Sequence, residues 1–389
     1  MASTDNGAEY VARVADIADI VRAGAAQAEV DRKLGDKAVD ALRDSGLLRM
    51  LLPVRYGGGD LHLTQTFPVV EALSRVNGSA GWNLQIGATT AASAYDLDDD
   101  PRDEVLGDER VVVAGTINFM NIKARAADGG YVFSGDATFL SGSSYADWLV
   151  VGGWLHDGGQ PQFTNGTLPH IVRGLIRIDQ VELRDTWKVS GMRATASNDT
   201  TLPDMFVPDR YICAHGGTGL VPDDPAGSLP LFSRFGAGLS FVGIGIARGA
   251  LDAFTDIAAT KTAMTGGVLA ERVDVQIEVA RARALVESAS AFLRETWNMA
   301  ETKLLAKKKL TVDDQATLRL AYITGAEYAA QATDLIARVA GSSGLYERDG
   351  IERCWRDANA VTKHVAVSAR FYERVGRIVL GLPALPGPI

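Results

Sequence analysis

The spacing of apolar residues changes twice along this chain of 389 residues, and these changes restrict its fold more than any other feature. In the first quarter of the chain, apolar side chains recur every three or four residues, which is typical of amphipathic helices. From about Asp108, short β-branched runs alternate with turn signals, which indicates strands. From Phe232 the helical spacing returns in alanine-rich segments. The order predicts an α+β protein with a helical domain over residues 1–107, a β domain over 108–228 and a second helical domain over 229–389.

The middle region favours a β-sandwich or barrel of six or seven short strands, and the last region favours a four-helix bundle. The four predicted helices are 235–260, 271–306, 311–341 and 351–380. We expect Asp313 to cap the third of them. A glycine- and proline-rich linker, 216–230, is expected to join the β domain to the bundle.

Composition and charge exclude several kinds of partner. The chain has 39 basic and 48 acidic side chains and a net charge of −9, which argues against nucleic acid or an anionic membrane surface. The start of the chain lacks the pattern of a signal peptide, and we identify no membrane span. Cys213 and Cys354 form no CxxC pair, so we expect free thiols in a cytoplasmic protein.

Common cofactor and metal motifs are absent from the sequence. The five histidines form no HExxH or HxH pattern, so no metal site is predicted. Neither a P-loop nor a GxGxxG motif after a strand is present, so we expect no nicotinamide site in this chain. A Gly-x-Ser-x-Gly elbow is also missing, which leaves a hydrolase triad without support.

The segment 129–148 is the best candidate for a binding site, because it combines glycines with aromatic and hydroxyl side chains. Side chains two residues apart in a strand lie on one face, so we expect Phe139 and Ser141 to lie together. A ring beside a hydroxyl can cover a flat cofactor and hydrogen-bond to its edge. The same residues also fit an ordinary hairpin with an inward phenylalanine and a turn serine.

Five stretches of sequence, in the same order as the predicted domains, point to one family. They are Arg55-Tyr56-Gly57-Gly58, Gly78-Ser79-Ala80-Gly81-Trp82, Phe139-Leu140-Ser141-Gly142, the stretch from Gly191 to Asp199, and Arg353-Cys354-Trp355-Arg356-Asp357 with His364 seven residues later. Together with the domain order, they resemble the acyl-CoA dehydrogenase superfamily. More narrowly, they resemble its branch of two-component monooxygenases that depend on reduced flavin.

The resemblance implies an enzyme that receives reduced FMN or FAD from a separate flavin reductase. Molecular oxygen would add at flavin C4a, and the hydroperoxide would oxygenate a small aromatic substrate. The resemblance also implies a homotetramer.

The resemblance assigns roles to residues across all three domains. The implied cofactor-binding residues are Phe139, Ser141, Gly142, Arg193, Thr195 and Ser197. Of these, Arg193, Thr195 and Ser197 are expected near the flavin phosphate. The implied catalytic residues are Ser141, His364 and Asn359. Ser141 would face flavin N5, and Asn359 stands where many relatives carry a histidine. His364 would be the general acid or base, with an ordinary pKa near ~6.5. The implied substrate-binding residues are Trp82, Asn118 and Phe119.

Two other functions remain open at this point. The pair Tyr346-Glu347 resembles the loop that carries the catalytic glutamate of acyl-CoA dehydrogenases, although the following Gly-Thr is missing. An acyl-CoA dehydrogenase or oxidase with Glu347 as its base is therefore one alternative. A scaffold protein that binds no flavin is the other.

Overall fold

The computed structural model describes residues 6–164, 168–213, 229, 231–262 and 266–385. Within them a mostly antiparallel sheet lies between two helical regions, so the predicted order of helices, strands and helices is confirmed. The predicted linker 216–230 lies outside the described residues, apart from residue 229.

The helices before the sheet form the first region. They are α1 (Asn6–Ala23), α2 (Ala25–Asp31), α3 (Asp36–Asp44), α4 (Leu63–Val76), α5 (Gly78–Ala91) and α6 (Asp99–Leu106). The Asn77 side chain caps α5 by accepting a hydrogen bond from Ala80 N at 3.0 Å. Helix α5 is buried along its whole length except at Trp82, which is partly exposed. This helix therefore presents one side chain to a neighbouring space.

Ten strands follow in the described residues. They are β1 (Val113–Gly115), β2 (Ile122–Ala127), β3 (Gly130–Leu140), β4 (Trp148–Asp157), β5 (Gln160–Pro161), β6 (Phe163–Thr164), β7 (Leu168–Pro169), β8 (Ile171–Arg177), β9 (Leu183–Arg184) and β10 (Asn198–Pro208). The main sheet has the order β1-β4-β2-β3-β10-β9, with β5 and β8 also paired to β4, while β6 and β7 form a separate pair. Strand β2 was not predicted, since its alanines are rare in strands.

The register between β3 and β10 is irregular next to the candidate binding segment. Leu140 pairs with Asn198 and Ala137 pairs with Thr200, so the strands shift between these two pairs. Such a bulge changes the direction of the side chains around it.

The second helical region contains α7 (Leu231–Ala258), α8 (Val273–Leu305), α9 (Val312–Ala340), α10 (Ile351–Val361) and α11 (Tyr372–Val379). The first three agree with the predicted helices. The prediction of one helix over 351–380 is wrong, because α10 ends at Val361 and two 3-10 turns precede α11. The buried Arg319 contributes to this break, since its Nη1 donates to the Ala366 carbonyl at 2.6 Å, and a continuing helix would use that carbonyl itself.

The prediction that Asp313 caps α9 is also wrong. Thr311 occupies the N-cap position, and its Oγ1 accepts from Asp314 N at 3.1 Å. Asp314 Oδ2 accepts in return from Thr311 N at 2.9 Å, which completes a capping box. Asp313 is exposed.

Aromatic side chains join α4 to the bundle. Phe67 stacks on Phe241 with ring centroids 4.8 Å apart and meets Trp297 edge-on at 5.5 Å. Such pairs add roughly 0.5–1.5 kcal/mol beyond the burial of their area. The segment Ser233–Ala258 of α7 has the length and hydropathy of a membrane span, yet 78% of its apolar window is buried inside the protein. Packing within the bundle therefore accounts for its apolar side chains.

Candidate active site

Ser141 lies directly after β3, where the sheet meets α5. Its Oγ accepts a hydrogen bond from Trp82 Nε1 at 3.0 Å, although the two residues are 59 positions apart. The serine is 8% exposed, so its hydroxyl is shielded from open solvent where the first two regions meet. The structure thus brings a predicted flavin-facing residue and a predicted substrate-facing residue into direct contact.

Two more hydroxyls extend from Ser141 into the protein. Ser141 Oγ lies 2.8 Å from Ser197 Oγ, and Ser197 Oγ lies 2.7 Å from Thr195 Oγ1. Thr195 Oγ1 in turn lies 2.9 Å from the Met192 carbonyl oxygen. We call Ser141, Ser197 and Thr195 the hydroxyl chain. The sequence led us to expect the Thr195 and Ser197 hydroxyls near the flavin phosphate. In the structure both residues are buried, and their hydroxyls bond within this chain; their phosphate role stays a prediction.

Three non-glycine residues around the hydroxyl chain adopt left-handed backbone conformations. They are Phe139 with φ 62°, Met192 with φ 55° and Ala196 with φ 48°. Each such residue costs on the order of 1 kcal/mol, and strain of this kind concentrates at functional sites. The conformation of Phe139 also ends the simple alternation of β3.

The predicted common face for Phe139 and Ser141 is therefore wrong. Phe139 is 57% exposed, whereas Ser141 is buried. The Phe139 ring instead meets the Trp187 ring edge-on, with centroids 6.2 Å apart. Trp187 is fixed because its Nε1 donates to the Met192 carbonyl at 3.0 Å. The two rings form an accessible aromatic surface close to the hydroxyl chain.

Asp357 on α10 supports the loop that carries the hydroxyl chain. Its Oδ1 accepts from Met192 N at 2.5 Å, across 165 positions of sequence. Burial, together with the nearby Glu29 carboxylate, raises the pKa of Asp357 to about 7. The approach is close, since a Cβ on Gly191 would lie 2.3 Å from the Arg356 carbonyl oxygen. The Arg356-Asp357 pair thus serves to position the loop.

Arg356 joins all three regions beside Asp357. Its Nη2 lies 2.8 Å from the Glu29 carboxylate of α2, and its Nε lies 2.6 Å from Glu352 on its own helix. Its Nη1 donates to the Ser190 carbonyl of the β domain. The three charged side chains are each less than a fifth exposed, so these ion pairs are worth more than surface pairs.

His364 also contacts Trp82, the residue that donates to Ser141. The two rings meet edge-on with centroids 5.6 Å apart. Burial lowers the pKa of His364 to about 4, so the expected value near 6.5 is wrong for this environment. Its Nδ1 accepts from Ala366 N at 3.2 Å, which places the proton of the neutral ring on Nε2. His364 therefore offers a hydrogen-bond donor and is a poor proton acceptor near neutral pH.

Arg193 and Gly142 flank the hydroxyl chain. Arg193 Nε is buried and has no hydrogen-bond partner within the described parts of the chain. Gly142 has φ 78° and donates from its N to the Thr195 carbonyl at 2.8 Å, which ties the end of β3 to the same loop. The Arg193 Nε donor, which lacks an acceptor among the described residues, fits a site for an anionic group.

The other predicted site residues lie in separate surroundings. Asn118 Nδ2 donates to Thr138 Oγ1 at 2.9 Å, and Phe119 is buried beneath the Arg173 guanidinium. Asn359 Nδ2 donates back to the Trp355 carbonyl of its own helix at 2.9 Å. No hydrogen bond joins these three residues to Ser141 or His364 in the described part of the structure, and their predicted roles stay predictions.

Sequence reasoning missed Trp187 and Asp357 as members of this site. Trp187 stands in an irregular segment without a motif, so the sequence carried no signal for it. Asp357 was quoted as part of a motif, yet only its contact with Met192 reveals what it does.

These residues fit a flavin in three respects. Ser141 has two of its three hydrogen-bonding positions filled, by Trp82 and Ser197, which leaves one for a ring nitrogen. The Phe139–Trp187 surface can lie against a flat ring system. Arg193 can pair with a phosphate. Among the described residues no group of three or more potential metal ligands is found.

Comparison with known proteins decides the family. The N-terminal domain model of acyl-CoA dehydrogenases matches residues 7–98, and the C-terminal domain model matches residues 237–369, together more than half of the chain. The chain belongs to the acyl-CoA dehydrogenase family. Within this family, its similarity is to monooxygenases.

Indole-3-acetate monooxygenase of Pseudomonas putida is 31% identical to this chain, over 95% of the chain and 93% of the relative. The oxygenase component of the FADH2-dependent resorcinol hydroxylase of a Rhizobium species is 28% identical, over 97% of this chain and 94% of the relative. Among solved structures, the HsaA monooxygenase of Mycobacterium tuberculosis superposes with a TM-score of 0.86 at 25% identity, covering 97% of this chain and 98% of that one. This acyl-CoA dehydrogenase family member thus lies in the flavin-dependent monooxygenase branch, as its motifs indicated.

Proposed function

We propose that this protein is the oxygenase component of a two-component monooxygenase, which uses reduced flavin and molecular oxygen to hydroxylate a small aromatic substrate. The observation that carries this proposal is the buried Ser141 hydroxyl, held by Trp82 and Ser197 with one position left for a ligand. The named relatives act on indole-3-acetate and resorcinol, both electron-rich aromatic compounds, and the latter enzyme depends on FADH2.

Reduced flavin supplies the electrons that activate oxygen, a chemistry that no side chain of this protein provides. The protein's own residues bind and orient. Ser141 holds the edge of the flavin ring, and Arg193 binds its phosphate. Trp82, as the one partly exposed residue of α5, closes the cleft and excludes water, which protects a reactive flavin from decay.

His364 has a definite part in this site. With Nδ1 engaged by Ala366 and a pKa of about 4, its ring donates from Nε2 at neutral pH. It therefore holds an acceptor atom of the substrate, such as a phenol oxygen, beside the Trp82 ring. We assign it this donor role in place of general acid or base catalysis.

The alternative with Glu347 as an acyl-CoA base has less support. Glu347 lies in an exposed 3-10 turn between α9 and α10. A base that removes a carbon-bound proton needs a buried or shielded position beside the substrate. The flavin-dependent relatives argue against the alternative of a scaffold protein that binds no flavin.

The test is anaerobic titration of the purified protein with photoreduced FMN and FAD, followed by oxygen and a panel of indoles and phenols. We expect tight binding of a reduced flavin and a product that carries one added oxygen atom. Failure to bind either reduced flavin would contradict the proposal. Bleaching of bound oxidised flavin by an acyl-CoA, without oxygen, would support the dehydrogenase instead.

Three wider features belong to the same proposal. A separate reductase supplies the flavin, so product should form with any NADH-driven flavin reductase added in trans.

A homotetramer is supported by exposed apolar side chains such as Leu345, Val379 and Leu380, and light scattering on a sizing column tests it. The free thiols of Cys213 and Cys354 fit a location in the cytoplasm, which fractionation of the source cells would check.

A further inference from the structure

The hydroxyl chain is bounded by a group that only donates and a group that only accepts. At one end Trp82 Nε1 donates to Ser141. At the other end the Met192 carbonyl can only accept, and Thr195 Oγ1 lies 2.9 Å from it. Each of the three hydroxyls between these ends has one proton to donate. Two arrangements of these protons show the choice open to Ser141, which can donate into the chain or donate to an outside partner.

In the first arrangement every hydroxyl donates away from Trp82. Ser141 donates to Ser197, Ser197 donates to Thr195, and Thr195 donates to the Met192 carbonyl. Every close contact of the chain is then a hydrogen bond. Ser141 keeps one lone pair and can only accept from a third partner.

In the second arrangement the hydroxyls point the other way. Thr195 donates to Ser197, and Ser197 donates to Ser141, whose two acceptor positions are then filled by Trp82 and Ser197. Ser141 can now only donate to a third partner. The bond from the Thr195 hydroxyl to Met192 is lost, although that carbonyl keeps the Trp187 Nε1 donor at 3.0 Å. This arrangement has one internal hydrogen bond fewer.

We infer that Ser197 and Thr195 are positioning residues that hold Ser141 as a hydrogen-bond acceptor, and so make the site prefer reduced over oxidised flavin. The inference rests on the proposed function. Reduced flavin carries a proton on N5 and donates, whereas oxidised flavin has a bare N5 and accepts. Binding the oxidised form requires Ser141 to donate to N5, and every arrangement that allows this has one internal hydrogen bond fewer, whether the bond lost is Thr195 to Met192 or Ser141 to Ser197. The hydroxyls are buried, so water does not readily replace that bond.

The inference makes a directional prediction for two substitutions. Thr195→Val removes the last acceptor for Ser197, whose proton then has a partner only when Ser197 donates to Ser141. That direction suits oxidised flavin. Ser197→Ala leaves the Ser141 proton without a protein acceptor, which also suits oxidised flavin. Each variant should lower the ratio of dissociation constants, oxidised over reduced, by roughly three- to tenfold, the equivalent of one hydrogen bond.

The experiment is anaerobic titration of wild type and variants with oxidised and photoreduced forms of the same flavin. Thr195→Ser keeps the hydroxyl and should retain the wild-type ratio. Ser143→Ala is the matched control, because Ser143 is a buried serine of the same segment whose Oγ donates to the Ala196 carbonyl at 3.1 Å, outside the hydroxyl chain. Its ratio should stay unchanged even if both affinities fall.

The outcomes separate the inference from the function on which it rests. A lower ratio in Thr195→Val and Ser197→Ala, with the wild-type ratio in Thr195→Ser, supports the inference. If both affinities fall equally in every variant, the residues are merely structural and the inference is wrong, while the monooxygenase proposal stands. If the wild type binds no reduced flavin, both fail. Should Thr195→Val not fold, Ser197→Ala decides alone, since it breaks the chain at a different link.

Discussion

The sheet side of the active site contains polar groups that stay neutral, whereas the α10 side contains groups that can ionise. Ser141, Ser197 and Thr195 satisfy one another through hydrogen bonds. Asp357 and His364 are buried away from water. Burial raises the pKa of Asp357 to about 7 and lowers the pKa of His364 to about 4. Both shifts favour the neutral form.

The comparison teaches that this protein favours neutral groups next to Trp82 and Met192 by two different means. On the sheet side the residue types themselves carry no charge. On the α10 side burial disfavours the charged form of a carboxyl and of an imidazole alike. Dehydrated surroundings with few ionised groups suit a reactive reduced flavin, and each side can be altered separately.

The largest expected effect comes from the sheet side. Ser141→Ala removes the hydroxyl shared by Trp82 and Ser197 and leaves both groups without their partner. We expect product formed per oxygen consumed to fall by about tenfold to a hundredfold, since an unmade buried hydrogen bond costs roughly 1–3 kcal/mol. Hydrogen peroxide should rise correspondingly. A peroxidase-coupled assay measures the peroxide, and chromatography measures the product. Ser144→Ala, at an exposed serine nearby, should behave as wild type. An unchanged yield in Ser141→Ala would remove that residue from its role.

The next effect concerns the imidazole on the other side. His364→Ala should lower kcat/KM by about tenfold or more through loss of one donor, while His364→Gln, whose amide can place a donor near Nε2, should recover part of it. Because the pKa of His364 is about 4, the wild-type profile between pH 6 and 8 should contain no inflection from this group. The exposed His170 provides the control, as His170→Gln. A wild-type inflection near pH 6.5 that disappears in His364→Gln would show that the ring titrates as a base.

A smaller effect concerns stability rather than rate. The folded-state pKa of Asp357, about 7, lies above the ordinary value of 3.8, so the folded protein retains a proton that the unfolded chain releases. Its contribution is present in full below pH 4 and is lost as the pH rises through 7, by on the order of 4 kcal/mol. Asp357→Asn keeps an acceptor for Met192 and should not show this loss. The unfolding temperature of the variant minus that of the wild type should therefore rise from pH 5 to pH 8.

The same measurement on His364→Gln sharpens the contrast. The folded-state pKa of His364 is lowered from 6.5 to about 4, so its contribution is present above pH 6.5 and is lost as the pH falls toward 4. The difference between variant and wild type should then slope the opposite way from that of Asp357→Asn. Parallel slopes in the two active-site variants would contradict opposite shifts.

The smallest effect is expected away from both sides. Glu347→Gln changes an exposed side chain and should leave hydroxylation within about twofold of wild type. A loss of activity as large as that of His364→Ala would revive the acyl-CoA alternative.

Much of the fold could be predicted because apolar spacing is a local property of the chain. The helices over 235–258, 273–305 and 312–340 follow from their repeating alanines and leucines. The break after Val361 could not be predicted in this way, because one contribution to it is a bond from the distant Arg319. The position of His364, at the start of a 3-10 turn, depends on that break.

The site was predicted in part. Ser141, Trp82 and His364 do lie together, and the motifs singled out all three. The left-handed backbone of Phe139 could not be foreseen, because nothing in its residue type requires it. Nor could the burial of Thr195 and Ser197, whose hydroxyls would suit a phosphate equally well in an open loop.

The sequence by itself determined the order of domains, the periodic helices and strands, and the motifs of a family, since each depends on residues close together in the chain. Only the tertiary structure decided which groups are charged and which way their protons point. A pKa depends on how much water surrounds a group, and a hydrogen bond depends on atoms that meet across as many as 327 positions of sequence. Neither quantity is a property of neighbouring residues, so neither can be read from their pattern.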